Sequence, residues 1–191
     1  MGKFRESQTA KNLLTSYAFE SQATTRYIFF SNKAKDDGFI QIANIFKETS
    51  DQELEHALRF FKFFNGGDLE VTARFLTGVV KSTYENLIAA AELENYVHTD
   101  LYPGFAKIGR EEGFDRAADF WDAISVAEAQ HEKTFQALAD NLESGRIFKR
   151  NEERVWRCSN CGYLHTGAEA PEKCPACVRP VGFFELFTEA W

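Results

Sequence analysis

Two pairs of side chains in this sequence have the residue types and the spacing of metal ligands. Glu53 and His56 are three residues apart, and so are Glu128 and His131. If each pair lies on an α-helix, its carboxylate and its imidazole share one face. Carboxylate and imidazole suit iron or manganese, and bridging glutamates allow a redox change that zinc cannot make. The two pairs therefore predict a redox-active metal site.

Two further glutamates complete the pattern. Glu20 precedes Glu53 by 33 residues and Glu94 precedes Glu128 by 34, so the chain repeats a one-glutamate segment followed by a Glu-x-x-His segment. Apolar residues flank all of these side chains at helical spacing, which directs them toward a common axis. Four buried carboxylates would be strongly unfavourable alone, whereas two divalent cations cancel their charge. The arrangement is that of ferritin-like di-iron or di-manganese proteins.

Four cysteines form a second set of candidate ligands. Cys158 and Cys161 make one Cys-x-x-Cys unit, and Cys174 and Cys177 make another after 12 intervening residues. With no export signal, such paired units indicate a metal site rather than disulfides. Four thiolates in a tetrahedron suit zinc or a single iron, and the spacing alone leaves both open. Gly162 and Pro175 at the two units leave backbone N–H groups free to reach sulfur, which tunes the reduction potential of a bound iron.

Four long helices are needed to position the six ligands of the first site. Periodicity predicts helices over 9–35, 39–64, 78–102 and 114–142, with a connection of about ten residues before the third. Pro103 is expected to end the third helix, and Gly145 the fourth. The fold class is therefore an all-α four-helix bundle with a small C-terminal metal-knuckle domain. We expect the bundle at 1–145, a linker at 146–153 and the small domain at 154–191.

Composition excludes several classes of protein. The net charge is −7, from 22 basic and 29 acidic side chains, and no basic patch indicates binding to nucleic acid. No apolar run approaches the roughly 18 residues that a membrane span needs. The first residues lack the apolar core of a signal peptide.

Four segments carry a close resemblance to the rubrerythrin family over essentially the full length. They are Ala18-Phe-Glu20-Ser-Gln-Ala, Asp51-Gln-Glu53-Leu-Glu-His56-Ala, Val126-Ala-Glu128-Ala-Gln-His131-Glu-Lys and Trp156-Arg-Cys158-Ser-Asn-Cys161-Gly-Tyr163. The resemblance implies a ferritin-like domain with a non-haem di-iron centre and a rubredoxin-like domain with one Fe(Cys)4 site. It implies that Glu20, Glu53, His56, Glu94, Glu128 and His131 bind the two irons. The single iron would bind Cys158, Cys161, Cys174 and Cys177.

The function implied by the resemblance is cytoplasmic reduction of hydrogen peroxide to water in oxidative stress defence. Electrons would pass through the rubredoxin-like iron in a head-to-tail homodimer. The chain has no Gly-x-Gly-x-x-Gly motif, so an NAD(P)H-linked reductase or a rubredoxin must supply them. The alternatives are a ferroxidase, oxidase or iron-handling protein on the same fold, and a non-catalytic bundle with a zinc ribbon for protein contacts.

One position departs from the family pattern. Typical rubrerythrins carry a further glutamate three residues after the one at 94, and this chain has Val97. The resemblance implies that this glutamate binds one iron in the oxidised state and that the iron moves to the position of His56 in the reduced state. Because valine cannot bind a metal, we hypothesise that His56 binds its iron in both redox states. Tyr17, Tyr27 and Tyr102 are candidate hydrogen-bond partners of the ligands.

Overall fold

The computed structural model describes residues 2–189; Met1, Ala190 and Trp191, which the predicted domains include, lie outside the described residues. Within that range six α-helices precede a small sheet. They are α1 Gly2–Arg5, α2 Gln8–Asp36, α3 Ile40–Phe61, α4 Thr83–Tyr96, α5 Tyr102–Glu111 and α6 Asp115–Glu143. The helix α2 packs along α3, and α4 and α5 pack along α6, so the four-helix bundle predicted from periodicity is confirmed.

The third predicted helix, 78–102, differs from the structure at both ends. It begins five residues later, because the Ser82 hydroxyl accepts the Glu85 N–H while the Glu85 carboxylate accepts the Ser82 N–H. It also does not stop before Pro103. A π-helical turn, Val97–Leu101, joins α4 to α5. Pro103 falls in the first turn of α5, directly after this π-helical turn, so the helix continues through the proline.

The connection between α3 and α4 is about twice as long as predicted. Residues 62–82 hold neither helix nor strand, and the Leu76 carbonyl in this segment accepts a hydrogen bond of 2.8 Å from Arg26 on α2. The segment carries the chain back along the bundle to the α2–α3 turn. There the Thr83 hydroxyl at the start of α4 donates to Asp37 at 2.7 Å. This crossover sets the long helices so that the middle of each lies at a similar level.

Two apolar clusters fill the bundle on either side of its middle. The cluster toward the α2–α3 turn includes Tyr27, Phe30, Phe46 and Phe135, and the opposite cluster includes Leu13, Phe60, Tyr102 and Trp121. Along α2, α3 and α6 the predicted ligands fall between members of the two clusters. The polar side chains are therefore closed off by packed aromatic and aliphatic residues at both ends.

The C-terminal part is a three-stranded antiparallel sheet in the order β2-β1-β3. Its strands are β1 Lys149–Cys158, β2 Leu164–Glu169 and β3 Phe184–Leu186. Trp156 and Phe184 are buried in its core beside Cys158 and Cys174. The strand β1 begins inside the segment 146–153, which was expected to be a linker. The domain boundaries stay a prediction. Among the described residues, no helix has both the length and the apolar character that crossing a membrane requires.

Candidate metal centres

The bundle brings the six predicted side chains of the first site together. One group contains Glu20, Glu53, His56 and Glu128, and the other contains Glu53, Glu94, Glu128 and His131; within each group the candidate ligand atoms lie within 4.8 Å of one another. Glu53 and Glu128 belong to both groups. The arrangement therefore offers two adjacent metal positions that share two carboxylates, each completed by one further glutamate and one histidine.

The shared carboxylates face both imidazoles through separate oxygens. Nδ1 of His56 lies 2.9 Å from Oε2 of Glu53 and 3.0 Å from Oε1 of Glu128. Nδ1 of His131 lies 2.8 Å from Oε2 of Glu128 and 3.0 Å from Oε1 of Glu53. One ring nitrogen can donate only one hydrogen bond, so two carboxylate oxygens around each Nδ1 exceed what hydrogen bonding can satisfy. Several carboxylate oxygens and an imidazole nitrogen directed at one point form the kind of ligand set that binds a cation.

The burial of the four glutamates also indicates a cation site. Glu20, Glu53, Glu94 and Glu128 are at most 3% exposed, and Oε1 of Glu53 and Oε1 of Glu128 accept no hydrogen bond of acceptable geometry within the described residues. Buried carboxylate oxygens without a donor are costly unless a cation faces them. The donor set of four carboxylates and two imidazoles therefore fits two divalent metal ions.

Without metal, protons must balance these charges. Burial, together with repulsion from Glu53 and Glu128, raises the pKa of Glu20 and of Glu94 well above the usual range. Burial alone would lower the pKa of His56, but hydrogen bonds and charge from Glu128 and Glu53 outweigh it and raise that pKa to about 10. The pKa of His131 rises to about 10 for the same reasons. Metal ions must therefore displace protons in order to bind.

Two fully buried tyrosines hold the carboxylates that belong to a single group. The Tyr27 hydroxyl donates to Oε1 of Glu94, and the Tyr102 hydroxyl donates to Oε1 of Glu20. Burial and the neighbouring carboxylates raise the pKa of both phenols, so both stay protonated as donors. Tyr17, the third candidate, instead packs its ring 5.5 Å from that of Phe61.

The sequence pattern did not identify Gln52, whose Oε1 lies 2.9 Å from Nε2 of His131. Its position on an exposed part of α3, next to Glu53, gave no periodic signal. Gln52 and His56 also line an open groove of about 580 Å³ on the outer side of α3. The His56 side chain is 16% exposed there, so this edge of the site is the one nearest to solvent.

The four cysteines form the second centre. The sulfur atoms of Cys158 and Cys177 lie 3.7 Å apart, those of Cys161 and Cys174 lie 3.6 Å apart, and all four cysteines are free thiols within 4.8 Å of one another. Four sulfurs about 2.3 Å from a central metal ion would lie about 3.8 Å apart, so the spacing fits a tetrahedral ion.

The two knuckles of this centre turn in the same way. The residue after the second cysteine of each unit has a positive φ, 77° for Gly162 and 62° for Val178, and its N–H bonds to the carbonyl of the first cysteine. A hydrogen bond from the backbone N–H of Arg179, together with hydrogen bonds from the neighbouring thiols, outweighs burial and lowers the pKa of Cys177 to about 6. A backbone hydrogen bond from Tyr163 also reaches Cys161 and favours its thiolate, but hydrogen bonds with the neighbouring thiols and burial outweigh it and raise the pKa of Cys161 to about 12. These contacts agree with the expectation that backbone N–H groups reach sulfur at the knuckles.

Comparisons with known proteins agree with both centres. The rubrerythrin family profile matches residues 11–139, and the profile of the rubrerythrin rubredoxin-like domain matches residues 156–185. The rubrerythrin of Nitratidesulfovibrio vulgaris is 51% identical over 191 residues, which is 100% of both chains. The rubrerythrin of Clostridium perfringens is 44% identical over 195 residues, again 100% of both. Nigerythrin in a mixed-valence state superposes with a TM-score of 0.64 at 28% identity, over 95% of this chain and 90% of that one.

Proposed function

The chain belongs to the rubrerythrin family, and we propose that its bundle reduces hydrogen peroxide at a di-iron centre, by the balanced reaction H₂O₂ + 2 H⁺ + 2 e⁻ → 2 H₂O. Peroxidase chemistry is the known role of this family, and its cofactors are a di-iron site and an Fe(Cys)4 site. The observation that carries the proposal is the pair of overlapping ligand groups that share Glu53 and Glu128.

We propose Glu20 and His56 as ligands of one iron, Glu94 and His131 as ligands of the other, and Glu53 and Glu128 as ligands of both. When bound, two adjacent ferrous ions supply the two electrons that cleave the peroxide O–O bond. The protein contributes a fixed, dry and charge-balanced site. Tyr27 and Tyr102 hold two carboxylates in position from the interior.

Substrate access is supported on the His56 side. The two apolar clusters close the bundle above and below the ligands, whereas the groove beside His56 is open and lined mostly by polar side chains. A molecule as small and polar as hydrogen peroxide can reach the edge of the site through such a groove. Bulky organic substrates would be excluded, because the ligands themselves remain buried.

Electron delivery from a second copy is part of the proposal. Gly182, beside β3, packs so closely on the carbonyl oxygen of Gly38 that a side chain there would overlap it, and Phe148 stacks on Phe39 at 6.0 Å. The four-cysteine domain thus rests on the α2–α3 turn of its own chain. Glu53 lies 13 residues beyond the start of α3, or about 20 Å along the helix. Because electron transfer slows steeply with distance, this separation favours a head-to-tail homodimer.

An external electron donor completes the scheme. We propose an NAD(P)H-linked reductase or a rubredoxin, since the chain has no nucleotide-binding glycine motif of its own. Cys161 is the exposed cysteine of the four, which makes its edge of the small domain suitable for a donor. The cytoplasmic location and the domain boundaries 1–145, 146–153 and 154–191 remain part of this proposal.

Val97 gives the proposal a feature particular to this chain. Its side chain is 2% exposed and packs in the apolar cluster that contains Tyr102 and Trp121, so it offers no oxygen to a metal. We propose that His56 therefore keeps its iron in both redox states. Crystal structures of the oxidised and reduced iron-loaded protein test this, and an iron found away from His56 in the oxidised form contradicts it.

Metal analysis and rapid kinetics test the function. We expect three iron per chain and a visible absorption band that bleaches on reduction; a colourless protein with zinc in the four-cysteine site would contradict this. The reduced protein should react faster with hydrogen peroxide than with dioxygen in stopped-flow mixing. The opposite order would favour the alternative, a ferroxidase or oxidase.

A further inference from the structure

We propose that Gln52 is a positioning residue, which holds His131 in the tautomer and orientation that bind metal. The inference rests on the proposed function, since it assigns Nδ1 of His131 to an iron. Its geometric basis is a contact across the bundle: Gln52 lies on α3, His131 lies on α6, and Oε1 of the amide is 2.9 Å from Nε2 of the imidazole.

The two nitrogens of His131 face different surroundings. Nδ1 is 2.8 Å from Glu128 and 3.0 Å from Glu53, the two carboxylates shared by the metal positions, so it is the nitrogen directed at a metal. A neutral imidazole carries one proton, and a metal needs the nitrogen without it. Nε2 must therefore keep the proton. An amide oxygen at hydrogen-bond distance is the group that favours this tautomer and fixes the plane of the ring.

The other imidazole lacks this support. Nδ1 of His56 also faces Glu53 and Glu128, but in the described part of the chain Nε2 of His56 has no hydrogen-bond acceptor. The His56 side chain lines the open groove instead. A hydrogen bond to the outer nitrogen makes an imidazole a more basic ligand. The iron beside His131 should therefore be the more firmly held of the two and should have the lower reduction potential.

Two substitutions of Gln52 with opposite expected effects on the reduction potential distinguish this role from a merely structural one. Gln52→Glu keeps an acceptor and adds negative charge, so it should lower the reduction potential of the di-iron centre. Gln52→Leu removes the acceptor at similar size, so it should raise the potential and weaken iron binding by about 10- to 100-fold. Gln130→Leu is the matched control, because Gln130 is an exposed glutamine on α6 that bonds to Thr134 and not to an imidazole.

The experiment is a mediated redox titration of the full-length iron-loaded protein and the three variants, with the iron affinity measured alongside. Potentials in the order Gln52→Leu, wild type, Gln52→Glu from highest to lowest, with Gln130→Leu equal to wild type, support the proposal. Potentials that do not move, or that move in the same direction or in the reverse order, overturn it. If the wild-type protein itself fails to bind two irons in the bundle or to reduce peroxide, it is the proposed function that fails.

Discussion

Glu53 and Glu128 are the two residues on which both metal positions depend. Each reaches both imidazoles, whereas Glu20 and Glu94 belong to one group each and are each fixed by one tyrosine. The shared carboxylates have no tyrosine donor among the described residues, and each has an oxygen without a hydrogen bond. Metal binding should therefore stabilise Glu53 and Glu128 most, whereas the tyrosine hydroxyls stabilise Glu20 and Glu94.

Removing the hydroxyl of Tyr27 or Tyr102 should measurably lower the stability of the folded protein. In Tyr102→Phe the buried Glu20 loses its donor, and in Tyr27→Phe the buried Glu94 does. Because a hydrogen bond to a charged group is stronger than one between neutral groups, each change should lower the free energy of unfolding by about 1.5 to 3 kcal/mol. Denaturant unfolding of the iron-loaded proteins measures this. Tyr17→Phe is the control and should stay within about 0.5 kcal/mol of wild type; equal losses in all three would contradict the assignment.

Val178 is the second residue-scale test. A β-branched residue with φ of 62° is strained, whereas Gly162 at the equivalent turn is not. Val178→Gly should stabilise the four-cysteine domain by up to about 1 kcal/mol, because relief of strain outweighs the added freedom of glycine when unfolded. Resistance of the visible absorption to guanidinium gives the readout. Since Val178 is 65% exposed, little packing is lost, and a destabilised variant would show that the positive φ is not strained.

At the scale of elements, the sequence predicted the long helices well and the region around α4 poorly. The bounds of α2 and α6 follow from unbroken periodicity and lie within one residue of the prediction. The π-helical turn has no such signal, because an inserted residue shifts the helical phase without changing residue types. Gln52 was missed for a related reason: an exposed glutamine gains its role only from a partner on another helix.

The π-helical turn should be required for the metal centre. It widens the helix just before Tyr102, whose N–H bonds to the Val97 carbonyl, and so sets the direction of the tyrosine side chain toward Glu20. Deleting Thr99 should restore ordinary helix and rotate Tyr102 by about 100°. We expect the deletion to lose bundle iron while the four-cysteine iron stays. Thr99→Ala, which keeps the chain length at this exposed position, should bind iron normally, and retention of all iron by the deletion would contradict the role.

A pH-dependent contact joins α2 to α4. Burial, the largest single effect, opposes ionisation of Asp37, but the hydrogen bonds from Lys33 and Thr83 together outweigh it and lower the pKa of Asp37. A lowered pKa in the folded state means that this stabilisation is present above the unfolded pKa of about 3.9 and is lost as the pH falls through the folded pKa. Asp37→Asn should thus cost about 0.5 to 1 kcal/mol at pH 7, discounted for exposure, and much less near pH 3. Unfolding at both pH values measures this, and an equal cost at both would exclude a role for the charge.

At the scale of the whole molecule, the two centres are held apart by the packing of the chain. The small domain rests on the α2–α3 turn, while the ligands lie in the middle of the bundle. The fold therefore separates the proposed source of electrons from the site that uses them. A second copy arranged head to tail would bring one chain's cysteines to the other chain's bundle.

Mixing complementary variants tests this arrangement. Cys161→Ser with Cys177→Ser removes one centre, and Glu53→Gln with Glu128→Gln removes the other, so neither double variant should reduce peroxide with an external reductase. If electrons pass between copies, co-expression should restore about a quarter of the wild-type rate per chain, since half of randomly paired dimers are mixed and each has one productive pair. Native mass spectrometry must show the mixed dimers. If the mixed dimers form and the mixture stays inactive, electrons travel within one chain. The packing of Gly182 on Gly38 would then not indicate electron transfer between copies.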